Sequence, residues 1–112
     1  MARRARRGDL ITVSAPGAYR KPRPAVVVQS DWLSDTDSVL VCLLTSTLRK
    51  APIYRLTMPA DADTGSRTVS QVMVDKAAAL PRAKCGPVLG RLAGTELLAL
   101  NHMLSLMLGL AD

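Results

Sequence analysis

The stretch Lys21-Pro22-Arg23-Pro24-Ala25-Val26-Val27-Val28 sets two prolines and an arginine directly ahead of an unbroken apolar, β-branched run. Continuous apolarity over a few β-branched residues marks a strand buried on both faces, whereas alternation marks one buried on a single face. A second such run, Val39–Leu44, ends in Thr45-Ser46-Thr47. Working outward, Asp9–Ser14 and Tyr54–Met58 alternate, Arg67–Asp75 makes a further strand, and Val88–Leu92 a short closing one. Ala15–Pro22, Pro59–Ser66 and the acidic turn Ser30–Ser38 are loops by their proline, glycine and aspartate content. Trp32, in that acidic turn, is expected to lie as a lid on the sheet.

The final segment changes period. Leu97, Leu100, Met103, Leu104, Met107 and Leu108 fall on one side of a 3.6-residue helix. Ala93 or Gly94 caps it, and Glu96 sits in the first turn, where the helix dipole favours an anion. His102 points away from the stripe between Leu98 and Leu106, an apolar outward side that suits a partner. Short strands followed by one helix indicate an α+β, mainly β fold with a small, strongly curled sheet. With 112 residues the expectation is a single domain over 1–112, entered from a basic, flexible arm at 1–7.

Composition excludes several functions. Aromatic residues are 3% of the chain with no Phe, which argues against a binder that stacks bases on aromatic platforms. No apolar run reaches the roughly 18–20 residues that span a bilayer. No apolar segment follows the charged N-terminus as in a secretory signal, so the expected location is the cytoplasm. Cys42 and Cys85 lack a CxxC spacing and His102 has no carboxylate or thiol cluster beside it, so neither a disulfide nor a metal site is expected. The net charge of +6 suits a polyanionic partner, and residues 1–23 hold all of it: seven Arg or Lys against Asp9. The rest of the chain balances eight bases with eight acids.

Several short motifs, taken together, resemble one family. Arg7-Gly8-Asp9-Leu10-Ile11, opening the first strand, resembles the start of the MazF/PemK toxins of type II toxin–antitoxin systems. So does Lys21-Pro22-Arg23-Pro24-Ala25-Val26-Val27, the Arg-Pro step into the second strand. Leu43-Leu44-Thr45-Ser46, Val74-Asp75 and Gly90-Arg91-Leu92, with a helix ending Met107-Leu108-Gly109-Leu110, follow in the same order through nearly the whole chain. The resemblance implies an SH3-like small curled β-barrel with a C-terminal α-helix, a homodimer, and cleavage of single-stranded RNA without metal or cofactor. It also implies a MazE-like antitoxin whose acidic, disordered tail lies over the RNA groove. Carried over, Arg23 and Thr45 are the central catalytic positions, with Ser46 and Asp75 as supporting residues. Arg20 and Lys21, which adjoin Arg23, and Lys76, which follows Asp75, are the RNA-binding candidates.

The chemistry suits these residues. When a 2′-OH attacks the neighbouring phosphate, the transition state gains negative charge, which fixed donors stabilise. An arginine fork bonds two phosphate oxygens at once, and a guanidinium that keeps its proton is a donor and not a base. Thr45 and Ser46 offer hydroxyls to a phosphate oxygen or the ribose, although a strand end also uses such groups for its own backbone. Asp75 orients Arg23 or another donor, or else stabilises its turn; both readings stand. His102 is set aside as a surface residue of the terminal helix. Two rivals remain. Gln29-Ser30-Asp31 and Leu106-Met107 also resemble the CcdB-type toxins, which share the barrel and poison DNA gyrase without cutting RNA. Those proteins end in Trp-Gly-Ile, where this chain has Leu108-Gly109-Leu110. A non-toxic, SH3-like RNA-binding module is the third reading.

Overall fold

One strand, Ser38–Thr45, divides its two edges among three neighbours, and the shape of the molecule follows from that division. The computed structural model describes residues 4–14, 21–60 and 67–111. Its strands are β1 (Asp9–Val13), β2 (Arg23–Val27), β3 (Ser38–Thr45), β4 (Arg55–Met58), β5 (Ser70–Met73), β6 (Ala78–Pro81) and β7 (Cys85–Arg91), followed by helix α1 (Gly94–Met107). One edge of β3 pairs antiparallel with β2, from Ala25↔Leu43 to Val27↔Val41. On the other edge its first half takes β6 and its last residues take β5, through Leu44↔Val72 and Thr45↔Gln71. β1 continues the sheet beyond β2 and carries β7, while β4 lies outside β5. The path runs β4-β5-β3-β2-β1-β7, so the sheet curls without closing.

Curling is what the apolar runs require. Ala25, Val26, Val27 and Val28 are all at most 5% exposed, although alternate side chains leave opposite faces. Val26 and Val28 join Leu10, Cys42, Leu44 and Val72 on the face that α1 covers with Leu97, Leu100, Met103 and Leu104. Ala25 and Val27 join Ile11, Val13, Val39 and Val41 on the other face, enclosed by Leu80 and Val88 as the sheet bends over them. Glu96 accepts the Ala93 N–H at the start of α1. At its end Gly109 adopts φ +75°, and Leu110 N donates 2.8 Å back to Ser105 O, the glycine-dependent closure of a helix C-terminus.

Several expectations change. The strand expected over Arg67–Asp75 spans only Ser70–Met73, after which Val74–Lys76 winds into a 3-10 turn. β6 has no counterpart in the sequence reading, and β7 begins at Cys85 instead of Val88. Met107 and Leu108 are exposed, because α1 packs on β4 and the turn after β5 and its last residues have no sheet beneath them. Trp32 is 93% exposed and is no lid. Its loop is secured by Gln29 and Arg82 instead, which donate to the Leu33 carbonyl and the Thr36 hydroxyl. Of the expected flexible arm, residues 1–3 lie outside the described residues, while Ala5 packs on the enclosed cluster. Arg7 donates to Val28 O and Asn101 Oδ1, tying β2 to α1. Among the described residues no helix is long and apolar enough to cross a membrane.

Asp9 closes this clasp. Its carboxylate is fully buried and accepts Arg6 N at 2.7 Å and Arg91 Nη1 at 2.9 Å. Asp9→Ala should lower stability by about 2 kcal/mol, below the 3–5 typical of a severed buried pair because Arg91 can rehydrate, and thermal unfolding should show it as a Tm drop of about 10 °C. Cys42 gives a second test. Burial, with Asp75 adding and Arg7 opposing, pushes its thiol up to about 11. An unfolded thiol ionises from about pH 8.5, so between there and pH 11 the folded chain holds the extra proton and stability falls as pH rises. The unfolding free energy of the wild type, from urea titrations, should decline over that window by up to about 3 kcal/mol more than that of Cys42→Val.

Candidate functional site

Three strand ends and one loop supply the polar groups of the site. Arg23 lies between two prolines, whose rings fix their own φ angles and restrict the residue ahead of each. Its partner on β1 is Val13. Toward β3 the pairing stops at Ala25↔Leu43, and its register, continued two residues, sets Arg23 level with Thr45. Thr45 in turn faces Gln71 on β5, and Gln71 faces Thr57 on β4. By that register Arg23, Thr45, Gln71 and Thr57 form one row across four strands on one face of the sheet, the two paired steps from Thr45 to Thr57 at about 4.8 Å each.

The chemistry of the row is that of donors. The Thr45 hydroxyl accepts the Thr47 N–H at 3.1 Å, which leaves its proton to donate outward. Arg23 and Lys21 are exposed. Ser46 is exposed beside Thr45 and Lys76 is exposed at the end of the 3-10 turn, whereas Arg20 lies outside the described residues. Asp75 pairs with Arg55 and not with Arg23: Arg55 Nε lies 3.0 Å and Nη2 3.4 Å from its two carboxylate oxygens. The Arg55 side chain is only 3% exposed, and its guanidinium also stands 5.9 Å from the centre of the Tyr54 ring. Arg55 and Gln71 were not singled out from sequence; a polar residue inside each of two short strands was the available signal.

An open cleft of about 620 Å³ adjoins the row, lined by Arg49, Lys50, Pro52, Arg55, Thr57 and Gln71. A smaller one of about 320 Å³ lies by Arg4, Arg6 and Arg82, near the opposite ends of β2 and β3. There the Arg82 guanidinium is committed to the Thr36 and Leu33 carbonyls, so less donor capacity remains for a ligand. On β7 Cys85 ends the row beyond Val13; burial pushes its thiol up and Arg82 opposes the shift. His102 is exposed on α1 and joins neither cleft, while Leu98 beside it is 70% exposed and Leu106 half-buried. The arrangement can bind an extended polyanion and place a phosphate between an arginine fork and a threonine hydroxyl.

Comparison with known proteins identifies the family. Residues 6–108 match the family model described as PemK-like, MazF-like toxin of type II toxin–antitoxin system. A relative from Mycolicibacterium smegmatis, named probable endoribonuclease MazF, is 39% identical over 107 residues, covering 95% of this chain and 98% of that one. Among solved structures, a mycobacterial endoribonuclease in complex with its cognate antitoxin superposes with a TM-score of 0.77 at 23% identity, covering 96% of this chain and 97% of that one. A MazE–MazF crystal structure from Deinococcus radiodurans gives 0.76 at 25% identity, with 94% and 96% covered. The likeness to the mycobacterial complex, at 23% identity, is one of fold alone.

Proposed function

The chain belongs to the PemK-like, MazF-like toxins of type II toxin–antitoxin systems, and from that premise we propose that Arg23 and Thr45 cut single-stranded RNA by transesterification. The family match decides against the gyrase-poisoning reading weighed from sequence. A relative is named a probable endoribonuclease, and the reading for this chain is that activity, acting on mRNA in the cytoplasm. The 2′-oxygen attacks the adjacent phosphorus, the bond to the 5′-oxygen breaks, and the products are a 2′,3′-cyclic phosphate and a 5′-OH. The proton lost by the 2′-OH goes to a base, and the leaving 5′-oxygen gains one. Arg23, held between Pro22 and Pro24, stabilises the charge that develops on the non-bridging oxygens and is placed to protonate the leaving oxygen. Thr45 donates its hydroxyl to the same phosphate, and Ser46 supports it. DNA, lacking the 2′-OH, is no substrate.

The observation that carries this reading is the level placement of Arg23 and Thr45, both on the half of the sheet face that Lys21, Arg49 and Lys50 make cationic. The same cations suit an acidic antitoxin segment competing with RNA, and one structural neighbour is an endoribonuclease in complex with its cognate antitoxin. The exposed Leu98 and half-buried Leu106 of α1 support a homodimer.

Purified protein incubated with single-stranded RNA in EDTA should release fragments whose 5′-OH ends accept label from polynucleotide kinase without prior phosphatase. Intact RNA would overturn the nuclease, and binding without cutting would favour the RNA-binding module. Arg23→Ala and Thr45→Val should each lower kcat by about 10²–10³-fold, the usual cost of one preorganised donor, with the circular dichroism spectrum retained.

A further inference from the structure

We propose that Gln71 is a positioning residue for RNA, acting through the backbone of Arg49; the inference rests on the RNA-cleaving reading above. Gln71 is 5% exposed in the middle of the polar row, directly opposite Thr45. Its Oε1 accepts Arg49 N at 2.9 Å, and its Nε2 donates to Arg49 O at 2.9 Å. The second amide proton of Nε2 goes to Thr57 Oγ1 at 3.1 Å. Both donors of the side chain are therefore spent inside the protein, and nothing of Gln71 is left to donate to a nucleobase. What the amide does is pair with the main chain of one loop residue, as a neighbouring strand would.

That loop needs such a partner. Residues 46–54 leave β3 without strand pairing, and Ser46–Lys50 are all exposed. Arg49 and Lys50 are adjacent cations in it and line the 620 Å³ cleft next to the Thr45 end of the row. Long cationic side chains on an untethered loop give weak, entropically costly phosphate contacts. Fixing the backbone of Arg49 at both its N–H and its C=O sets the origin of the two side chains, so that each meets a phosphate flanking the one held by Arg23 and Thr45. Gln71 thus governs how RNA is gripped, and Arg23 and Thr45 how it is cut.

Each phosphate contact with a single strand contributes about 0.7 to the slope of log Kd against log salt. Binding would be measured with a fluorescent oligonucleotide carrying 2′-deoxyribose at the cleavage site, which can bind but not react, across a salt series. Gln71→Met, close in volume and without the amide, should lower that slope by about 0.7–1.4, as Arg49→Ala/Lys50→Ala does. On cleavable RNA it should raise KM about tenfold and lower kcat less than threefold. Combined with Arg49→Ala/Lys50→Ala it should add no further loss of affinity. Should Gln71→Met fail to fold, Gln71→Glu keeps the bond from Arg49 N, loses the one to Arg49 O, and should cost part of the same slope. Additive losses, an unchanged slope, or a fall in kcat at constant KM would overturn the positioning role. A wild-type protein that neither binds nor cuts RNA would overturn the functional reading itself, whereas wild-type cutting with an unaltered variant slope would overturn only Gln71.

Discussion

A strand that is apolar on both faces cannot be satisfied by one layer, and two such strands, β2 and β3, lie side by side in this protein. Each face needs its own cover. One is supplied by α1, whose fully buried Leu100 sits among the side chains of Leu10, Val26, Cys42 and Val72. The sheet must supply the other itself, by bending so that Leu80 and Val88, on the strands beside Val39 and Ile11, pack against the cluster that holds Val27 and Val41. The order of the strands follows from this demand. β3 is long enough to carry β6 along its first half, which turns into the curl, and β5 at its end, which turns away toward α1. Burying a Val or Leu side chain is worth about 1.5–3 kcal/mol, so leaving either face open would forfeit more than the net stability of a small domain.

The parts legible in the sequence are those whose local pattern and tertiary role agree. Ala25–Val28 and Val39–Leu44 announce themselves as doubly buried strands, and the spacing from Leu97 to Leu104 as a helix face. The segment Ala78–Pro81 could not be read that way. Alanine has low β-propensity and no alternation to display, and this strand exists because β3 offers it an unpaired edge about 40 residues away in sequence. The over-long strand at Arg67–Asp75 fails for a related reason. Val74 continues the apolar pattern, but its N–H bonds back to Tyr54 O and the chain winds into a 3-10 turn there, which sends Asp75 to Arg55. Sequence assigns apolarity; it does not say when the chain turns.

The same limit applies to the site. Arg23 and Thr45 could be proposed from sequence because each sits at the end of a readable strand and because their motifs resemble a known family. Arg55, Gln71 and Arg49 were not, since what gives each its role is a partner 20 or 22 residues away. A polar residue in a short strand reads as an ordinary solvent-facing position until register puts it under a loop. Gln71 shows the cost of that ambiguity: buried, and with its amide fully used, it has the surroundings of a structural residue and the location of a functional one.

Proline reconciles burial with access. A strand sealed on both faces and paired on both edges would leave no room for a substrate. Pro24 still lies opposite Thr12 on β1, but it has no N–H to offer a ladder, and pairing toward β3 stops at Ala25. The register set by Ala25, Val26 and Val27 against Leu43, Cys42 and Val41 nevertheless persists in direction. Arg23 and Thr45 therefore stay level across a gap that no backbone hydrogen bond fills, as a phosphate between them would require. Moving the proline one residue toward Val26 would unpair the buried run, and moving it one residue the other way would let β2 and β3 zip shut at the site. The Pro-Arg-Pro step accordingly encodes both the limit of the core and the opening of the site.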